Sequence, residues 1–318
     1  MTAGAVPYFL RPNKAIDREL FIELLLRADG VLPVGEYRYV GFGGAFFEDF
    51  RRMHTALGLR LMVSLEEEEV VFVRQERNRP HSCIEHHLKS SADFLEEDRY
   101  NGPTLLWLDY SNPNALGDQL QEFRMALRQI NPADVLRITL HADMRGLVGE
   151  DKRLEPGQTL EERRLAVLQG RVGRLLPGDI APGDMLPSQY PHILLACLRR
   201  IVEEERIPFF PVLATSYADT QRMVTLAGMR PEDDGHKEHL RKALRLSQWE
   251  FYLGNWENVI EIDVPVLSVA EKLAIDAALP LKDVPAIPLH SNETRSSRLM
   301  QNYCRFYRYY PQYSRVTI

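Results

Sequence analysis

Five short strand-like runs, alternating with stretches of helical period, constrain this chain more than any other feature. They fall at residues 37–40, 59–65, 82–85, 104–108 and 135–140. The fourth, Thr104-Leu-Leu-Trp-Leu108, is apolar without alternation and is bounded by turn residues. That is the pattern of a strand covered on both faces, as parallel sheets are. Between the runs, Phe46, Phe50, Met53 and Leu57 recur at i, i+4, i+7 and i+11, and residues 116–127 read as a further helix. Ahead of the first run, Ile16, Leu20 and Leu24 give one apolar stripe that Gly30 is placed to stop. Strand alternating with helix predicts an α/β fold with a mostly parallel sheet and helices on both faces.

Beyond residue 141 the pattern loosens. Pro-Gly pairs stand at 156–157, 177–178 and 182–183, and Thr159-Leu-Glu-Glu162 has the form of a capping box. We expect an insertion at about 144–191 holding one helix and able to cover the crevice beyond the strand ends. Residues 208–214 and 222–227 read as a hairpin completing the sheet. After Gly228-Met-Arg-Pro231 the chain is charged and mostly helical. The expected organisation is an α/β domain over 1–230 and a helical C-terminal region over 231–318, sizes that a chain of 318 residues accommodates.

Composition excludes several classes. With 39 Lys and Arg against 45 Asp and Glu, the net charge of −6 argues against a general coat of nucleic-acid contacts. Cys83, Cys197 and Cys304 are too dispersed for a disulfide framework or metal-ligand spacing. His86 and His87, beside Glu85, would point to opposite faces of a strand, so no metal is expected there. No apolar run approaches the roughly 20 residues of a membrane span, and the N-terminus lacks a signal pattern. A cytoplasmic protein without a membrane partner is the expectation.

Open parallel sheets bind ligands outside the carboxyl ends of their strands, where strand order reverses. At those ends the sequence puts Gly41, Gly43 and Gly44, then Glu66, Asp93 and Asp109. Glycines let a ligand approach the backbone, and an acid about 25 residues later suits a ribose diol. Four such features in register point to a nucleoside-containing cofactor. The dinucleotide fingerprint needs a third glycine, and Phe46 stands in its place. An NAD-dependent oxidoreductase is therefore the weaker enzyme reading.

Tyr39-Val-Gly-Phe-Gly-Gly44, Asp49-Phe50 with His54, Leu57-Gly58, Ser64-Leu-Glu66, Ala92-Asp-Phe-Leu95 and Trp107-Leu-Asp-Tyr110 together resemble class I S-adenosylmethionine-dependent methyltransferases. More narrowly they are similar to a bacterial group labelled putative O-methyltransferases. The resemblance covers roughly residues 8–143. It implies a Rossmann-like methyltransferase fold and S-adenosylmethionine as cofactor, with methyl transfer to a hydroxyl or related acceptor. By the same resemblance Gly41, Gly43 and Gly44 line the methionine part, Glu66 holds the ribose, Asp93 takes the adenine amino group with Phe94 beside the ring, and Asp109 and Tyr110 face the transferring methyl. Two departures stand out: Arg38-Tyr-Val40 replaces the usual acid before the glycines, and Asp109-Tyr-Ser-Asn-Pro113 is not the motif of base-amino methylation.

A hydroxyl acceptor needs a base, for which Asp109 and His141 are the candidates. Arg11, Lys14 and Arg18 gather at the first helix, and Arg11 and Lys14, with Tyr110, are the residues we expect to meet an acidic acceptor. The stretch 295–315 interleaves Tyr303, Phe306, Tyr307, Tyr309, Tyr310 and Tyr313 with arginines, as single-strand RNA binders do. Leu299, Tyr303, Phe306 and Tyr310 nevertheless recur at helical spacing, which favours a docked helix. Trp249, Phe251, Tyr252 and Trp256 read as core or as a subunit interface. A catalytically silent assembly module, acting as a homodimer or on a partner protein, is the rival from outside the enzymes. The acceptor, small molecule or RNA, is left open.

Overall fold

The structure, a computed structural model, describes residues 11–97, 102–147, 154 and 156–311. Its elements in chain order are α1 (Pro12–Asp29), β1 (Arg38–Gly41), α2 (Glu48–Leu57), β2 (Leu61–Glu66), α3 (Glu69–Asn78), β3 (Ile84–Leu88), α4 (Ser91–Glu97), β4 (Thr104–Asp109), α5 (Leu116–Gln129) and β5 (Val135–His141). There follow α6 (Leu160–Val172), α7 (Tyr190–Glu205), β6 (Phe210–Ala218), β7 (Arg222–Met229), α8 (Asp234–Ala243), β8 (Ile260–Ile262), α9 (Val269–Asp276) and α10 (Glu293–Phe306). Eight strands form one sheet in the order β3-β2-β1-β4-β5-β7-β6-β8. Strands β1 to β5 pair parallel, and β7 runs antiparallel to β5 from Val135↔Met229 to His141↔Met223. This is the mostly parallel α/β fold that the alternation predicts. The chain leaves β1 toward β2 and β3 on one side and resumes at β4 on the other, so the order reverses between β1 and β4.

Two compact units divide the chain. One comprises Phe21–Ser216 and Gln221–Ile260, the other Met1–Leu20, Tyr217–Thr220 and Glu261–Ile318. In the larger unit β4 carries the core. Leu106 and Leu108 join Leu120, Phe123 and Leu127 of α5 in one apolar cluster. On the opposite face Trp107 lies 5.6 Å from Phe21, ring centre to ring centre, and the Arg137 guanidinium sits 4.1 Å from its indole. The indole Nε1–H donates to Thr139 Oγ1 at 3.0 Å. Helix α2 buries Phe50, Met53 and Leu57 and ends at Gly58 with φ 67°, whose N–H caps His54 O. Phe46 departs from the expected stripe. Phe47 takes a left-handed φ of 55°, which starts the helix at Glu48 and leaves Phe46 43% exposed beneath the Arg74 guanidinium.

Asp134, 1% exposed, ties the starts of β4 and β5 by accepting N–H bonds from Thr104 and Asn131, both at 2.7 Å. Burial outweighs these bonds and lifts its carboxyl from 3.8 to about 6. Below the lower value folded and unfolded chains are both protonated. Between the two, the unfolded chain has released a proton that the folded chain retains, so this group's contribution to stability is lost as pH rises through the window. The whole change is about 3 kcal/mol. Urea denaturation at pH 4 and pH 7 should show that Asp134→Asn removes this decline, whereas parallel curves for variant and wild type would refute it.

In the smaller unit Asp219 accepts the backbone N–H groups of Asn13, at 3.2 Å, and Lys14, at 3.0 Å, while Asn13 Oδ1 accepts from Val264 N–H at 2.9 Å. Leu299, Tyr303 and Phe306 of α10, with Tyr310, are all buried, as their helical spacing predicts. Tyr303 donates to Asp276 at 2.7 Å, and Tyr310 donates to Pro265 O at 3.1 Å. Tyr313 and Arg315 lie outside the described residues. Among the described residues no helix is long and apolar enough to cross a membrane.

Candidate active site

The glycine turn Gly41-Phe42-Gly43-Gly44 leaves β1 at the reversal point. Gly43 donates its N–H to Ser64 Oγ at 3.2 Å, and a Cβ added there would stand 2.6 Å from that oxygen and 2.7 Å from the Phe47 ring. Gly44 has a φ of 52°, in the left-handed region that glycine adopts without strain. Gly41 is the last residue of β1 and lies opposite Ser64 of β2. The turn is thereby pinned to β2, two residues before Glu66.

Glu66 ends β2. Its Oε1 accepts the Glu68 N–H at 3.0 Å and its Oε2 accepts Gln75 Nε2 at 3.1 Å. Burial raises its carboxyl above the ordinary value. Gln75 is fully buried on α3 and also donates to Gly44 O at 2.9 Å, so one side chain joins the turn to the acid. Its Oε1 meets His86 Nε2, and the His86 ring stacks on Phe72 at 3.9 Å between centres. The sequence predicts no element for residues 70–78. Helix α3 stands there instead, and Gln75 is its buried side chain.

Asp93 lies not on a strand but at the third position of α4. It accepts from Ser90 Oγ at 2.7 Å while its own N–H donates to that oxygen at 3.1 Å. The reciprocal pair caps the helix and leaves the carboxylate exposed. Phe94 is buried at 4%, with the Arg38 guanidinium 5.5 Å from its ring. Asp109 ends β4 opposite Thr139 of β5 and is half-buried. Tyr110 donates its N–H to Thr139 O at 3.0 Å and its hydroxyl to the Glu122 carboxylate. Its ring lies 5.5 Å from that of Phe42, which links the ends of β1 and β4.

His141 ends β5, 5% exposed, and burial lowers its pKa. Its Nδ1 accepts the Asp143 N–H at 3.4 Å, so the neutral ring carries its proton on Nε2. Helix α6, opened by the expected Thr159–Glu162 capping box, meets the segment after β4 through Arg171 Nη2, which donates to Asn114 Oδ1 at 2.7 Å. Gly41, Gly43, Gly44, Glu66 and Tyr110 are thus connected around the reversal point, with Asp109 at the adjoining strand end. Arg11 and Lys14 belong to the smaller unit. Among the described residues no group of three or more His, Cys, Asp or Glu is placed to hold a metal ion.

An α/β sheet with a glycine turn and acidic strand ends near its reversal point is the arrangement of Rossmann-like folds that bind nucleoside-containing cofactors. The chain belongs to the family described as "Putative O-methyltransferase", whose profile matches residues 6–318. It is accordingly an S-adenosylmethionine-dependent methyltransferase. Comparison with curated proteins gives no match. Solved structures similar to it include an O-methyltransferase from Bacillus cereus in complex with SAH, at 16% identity over 72% of this chain and 84% of that one, TM-score 0.40. The N-methyltransferase NodS from Bradyrhizobium japonicum is 11% identical over 68% and 97% of the two chains, TM-score 0.38. The fibrillarin pre-rRNA processing protein of Methanococcus jannaschii is 10% identical over 62% and 68%, TM-score 0.38.

The residues fit the cofactor on their own chemistry. The methyl donor carries a positive sulfur, and the ends of β2 and β4 present the carboxylates of Glu66 and Asp109, with that of Asp93 on α4. Glu66 Oε1 accepts the Glu68 N–H and Oε2 accepts Gln75 Nε2, and a carboxylate's roughly four lone-pair sites leave capacity for ribose hydroxyls.

Proposed function

We propose that this protein methylates a hydroxyl or related acceptor, with Glu66 as the ribose ligand and Asp109 as the base. The observation that supports the reading is the pinned arrangement of the glycine turn and Glu66 through Ser64 and Gln75, at the point where strand order reverses. In it Gly41, Gly43 and Gly44 line the methionine part of the cofactor, Asp93 and Phe94 lie on the adenine side, and Tyr110 faces the methyl group. A pyrophosphate at the same turn would meet Glu48 and Asp49 in the first turn of α2, which opposes a dinucleotide. When bound, S-adenosylmethionine supplies a methyl group activated by its positive sulfur. The chain's own work is to align the acceptor and to take its proton.

Asp109 suits the proton better than His141 does. A base needs a bare lone pair, and the Asp143 N–H on His141 Nδ1 leaves Nε2 protonated in the neutral ring. His141 is therefore assigned as a hydrogen-bond donor toward the acceptor.

The reading is tested by incubating the protein with methyl-labelled cofactor and a panel of hydroxylated small molecules and RNA. Label recovered as a methyl ether or ester supports it, and label found only on nitrogen or carbon refutes the oxygen assignment. With a substrate found, Asp109→Asn should lower kcat by about 100-fold or more while cofactor affinity changes little. Unchanged kcat would remove Asp109 from the role.

A further inference from the structure

We infer that Gln75 is a positioning residue for the cofactor's ribose and that His86 sets the orientation of its amide. The inference deepens the reading of Glu66 as ribose ligand and rests on it. The geometry carries it in three steps. Gln75 is fully buried, so each polar atom of its amide must be used within the protein. Its Nε2 has two hydrogens and two acceptors, Gly44 O at 2.9 Å and Glu66 Oε2 at 3.1 Å. The same group therefore fixes the backbone of the glycine turn and one carboxylate oxygen of Glu66.

An amide can be rotated end for end with little change of shape, and something must decide between the two orientations. If Oε1 faced Glu66 and Gly44, three oxygens would converge without a proton between them. His86 stands at the other end of the amide, with Nε2 against Gln75 Oε1. Since that oxygen only accepts, the imidazole must donate from Nε2. A neutral ring then leaves Nδ1 bare, and Nδ1 is buried without a hydrogen-bond partner. The titratable and charged groups that act on His86 are Glu76, Arg79 and His87, and stacking on Phe72 holds the ring in plane. Burial lowers the pKa of His86 and so maintains the neutral state that this arrangement requires.

The chain of command runs from His86 on β3, through Gln75 on α3, to Glu66 on β2. His86 and Gln75 act through Glu66, the proposed ribose ligand, so the effect is expected on cofactor affinity. A water molecule or a differently turned carboxylate would leave Glu66 with more than one orientation, and ribose binding would then have to fix it.

The test is a double-mutant cycle on S-adenosylhomocysteine affinity, measured by calorimetry on the full chain. Gln75→Met keeps length and volume but removes every hydrogen bond. It should weaken binding about tenfold. Glu66→Ala should weaken it more, and the double variant should be no weaker than Glu66→Ala alone. If Gln75→Met binds as the wild type does, or if its loss adds in full to that of Glu66→Ala, the inference is overturned. If Glu66→Ala itself binds normally, the ribose assignment fails first, and that result is distinct from the others. Nitrogen NMR of His86 in the wild type needs no variant to fold. A neutral ring protonated on Nε2 at pH 7 is expected, and a proton on Nδ1 alone would overturn the orientation argument.

Discussion

Glu66→Ala should bind S-adenosylhomocysteine on the order of 100-fold more weakly than the wild type, the size of effect expected when charge-assisted hydrogen bonds to two hydroxyls are lost. The expectation follows from how the carboxylate is held. Glu68 N–H and Gln75 Nε2 each occupy one lone pair on a different oxygen, which fixes the plane of the group while both oxygens keep accepting capacity. A ribose diol arriving in that plane meets two acceptors whose ordering cost was met on folding. Glu66→Gln preserves the shape but offers one oxygen and no charge, so an intermediate loss of about tenfold is expected. Affinity should also depend on pH. Because burial raises the Glu66 pKa, the wild type should lose affinity on acidification at a higher pH than an ordinary carboxylate would, and Glu66→Gln should not. Equal affinities for wild type and Glu66→Ala would remove this residue from the site.

The parts of the fold that the sequence reveals are those where burial on both faces leaves no freedom of composition. Residues 104–108 and 135–140 read as strands because every side chain on them is excluded from water. Strand β3 is displaced from its expected place by a few residues because it is the edge strand, and its Ile84-Glu-His-His-Leu88 is only partly buried. Helix α3 gives no periodic signal in the sequence for a related reason. Its four apolar residues are consecutive rather than periodic, Val70 and Val73 being 84% and 45% exposed and Val71 and Phe72 half-buried, whereas the fully buried side chain is Gln75. A polar residue at a core position sends no signal to a search for apolar period. Glu66 and the glycines were visible as types at strand ends, but the glutamine that joins them was not. Asp93 shows the opposite case. Ser90-Ser-Ala-Asp93 has the spacing of a capping pair, and that signal was present in the sequence beside the adenine reading.

Trp107→Ala should destabilise the larger unit by about 3–5 kcal/mol, the range for truncating a large buried aromatic side chain. Trp107 is 1% exposed, so the cavity left behind cannot be filled by solvent-facing groups. Its indole also makes specific contacts. Phe21 meets it edge-on at 5.6 Å, the Arg137 guanidinium stacks at 4.1 Å, and Thr139 accepts its N–H at 3.0 Å. Arg137 is fully buried, so loss of the ring leaves a guanidinium facing a void on one side and Phe21, at 4.3 Å, on the other. Trp107→Phe separates these contributions. It keeps an aromatic face for Arg137 and most of the volume but leaves Thr139 Oγ1 without its donor, so a smaller loss of about 1–2 kcal/mol is expected. Urea denaturation followed by far-UV dichroism measures both. The consequence should extend to the site, since Thr139 is also the residue whose carbonyl accepts the Tyr110 N–H beside Asp109. A Trp107→Ala variant as stable as Trp107→Phe would mean that the cavity collapses and that the stacked guanidinium contributes nothing.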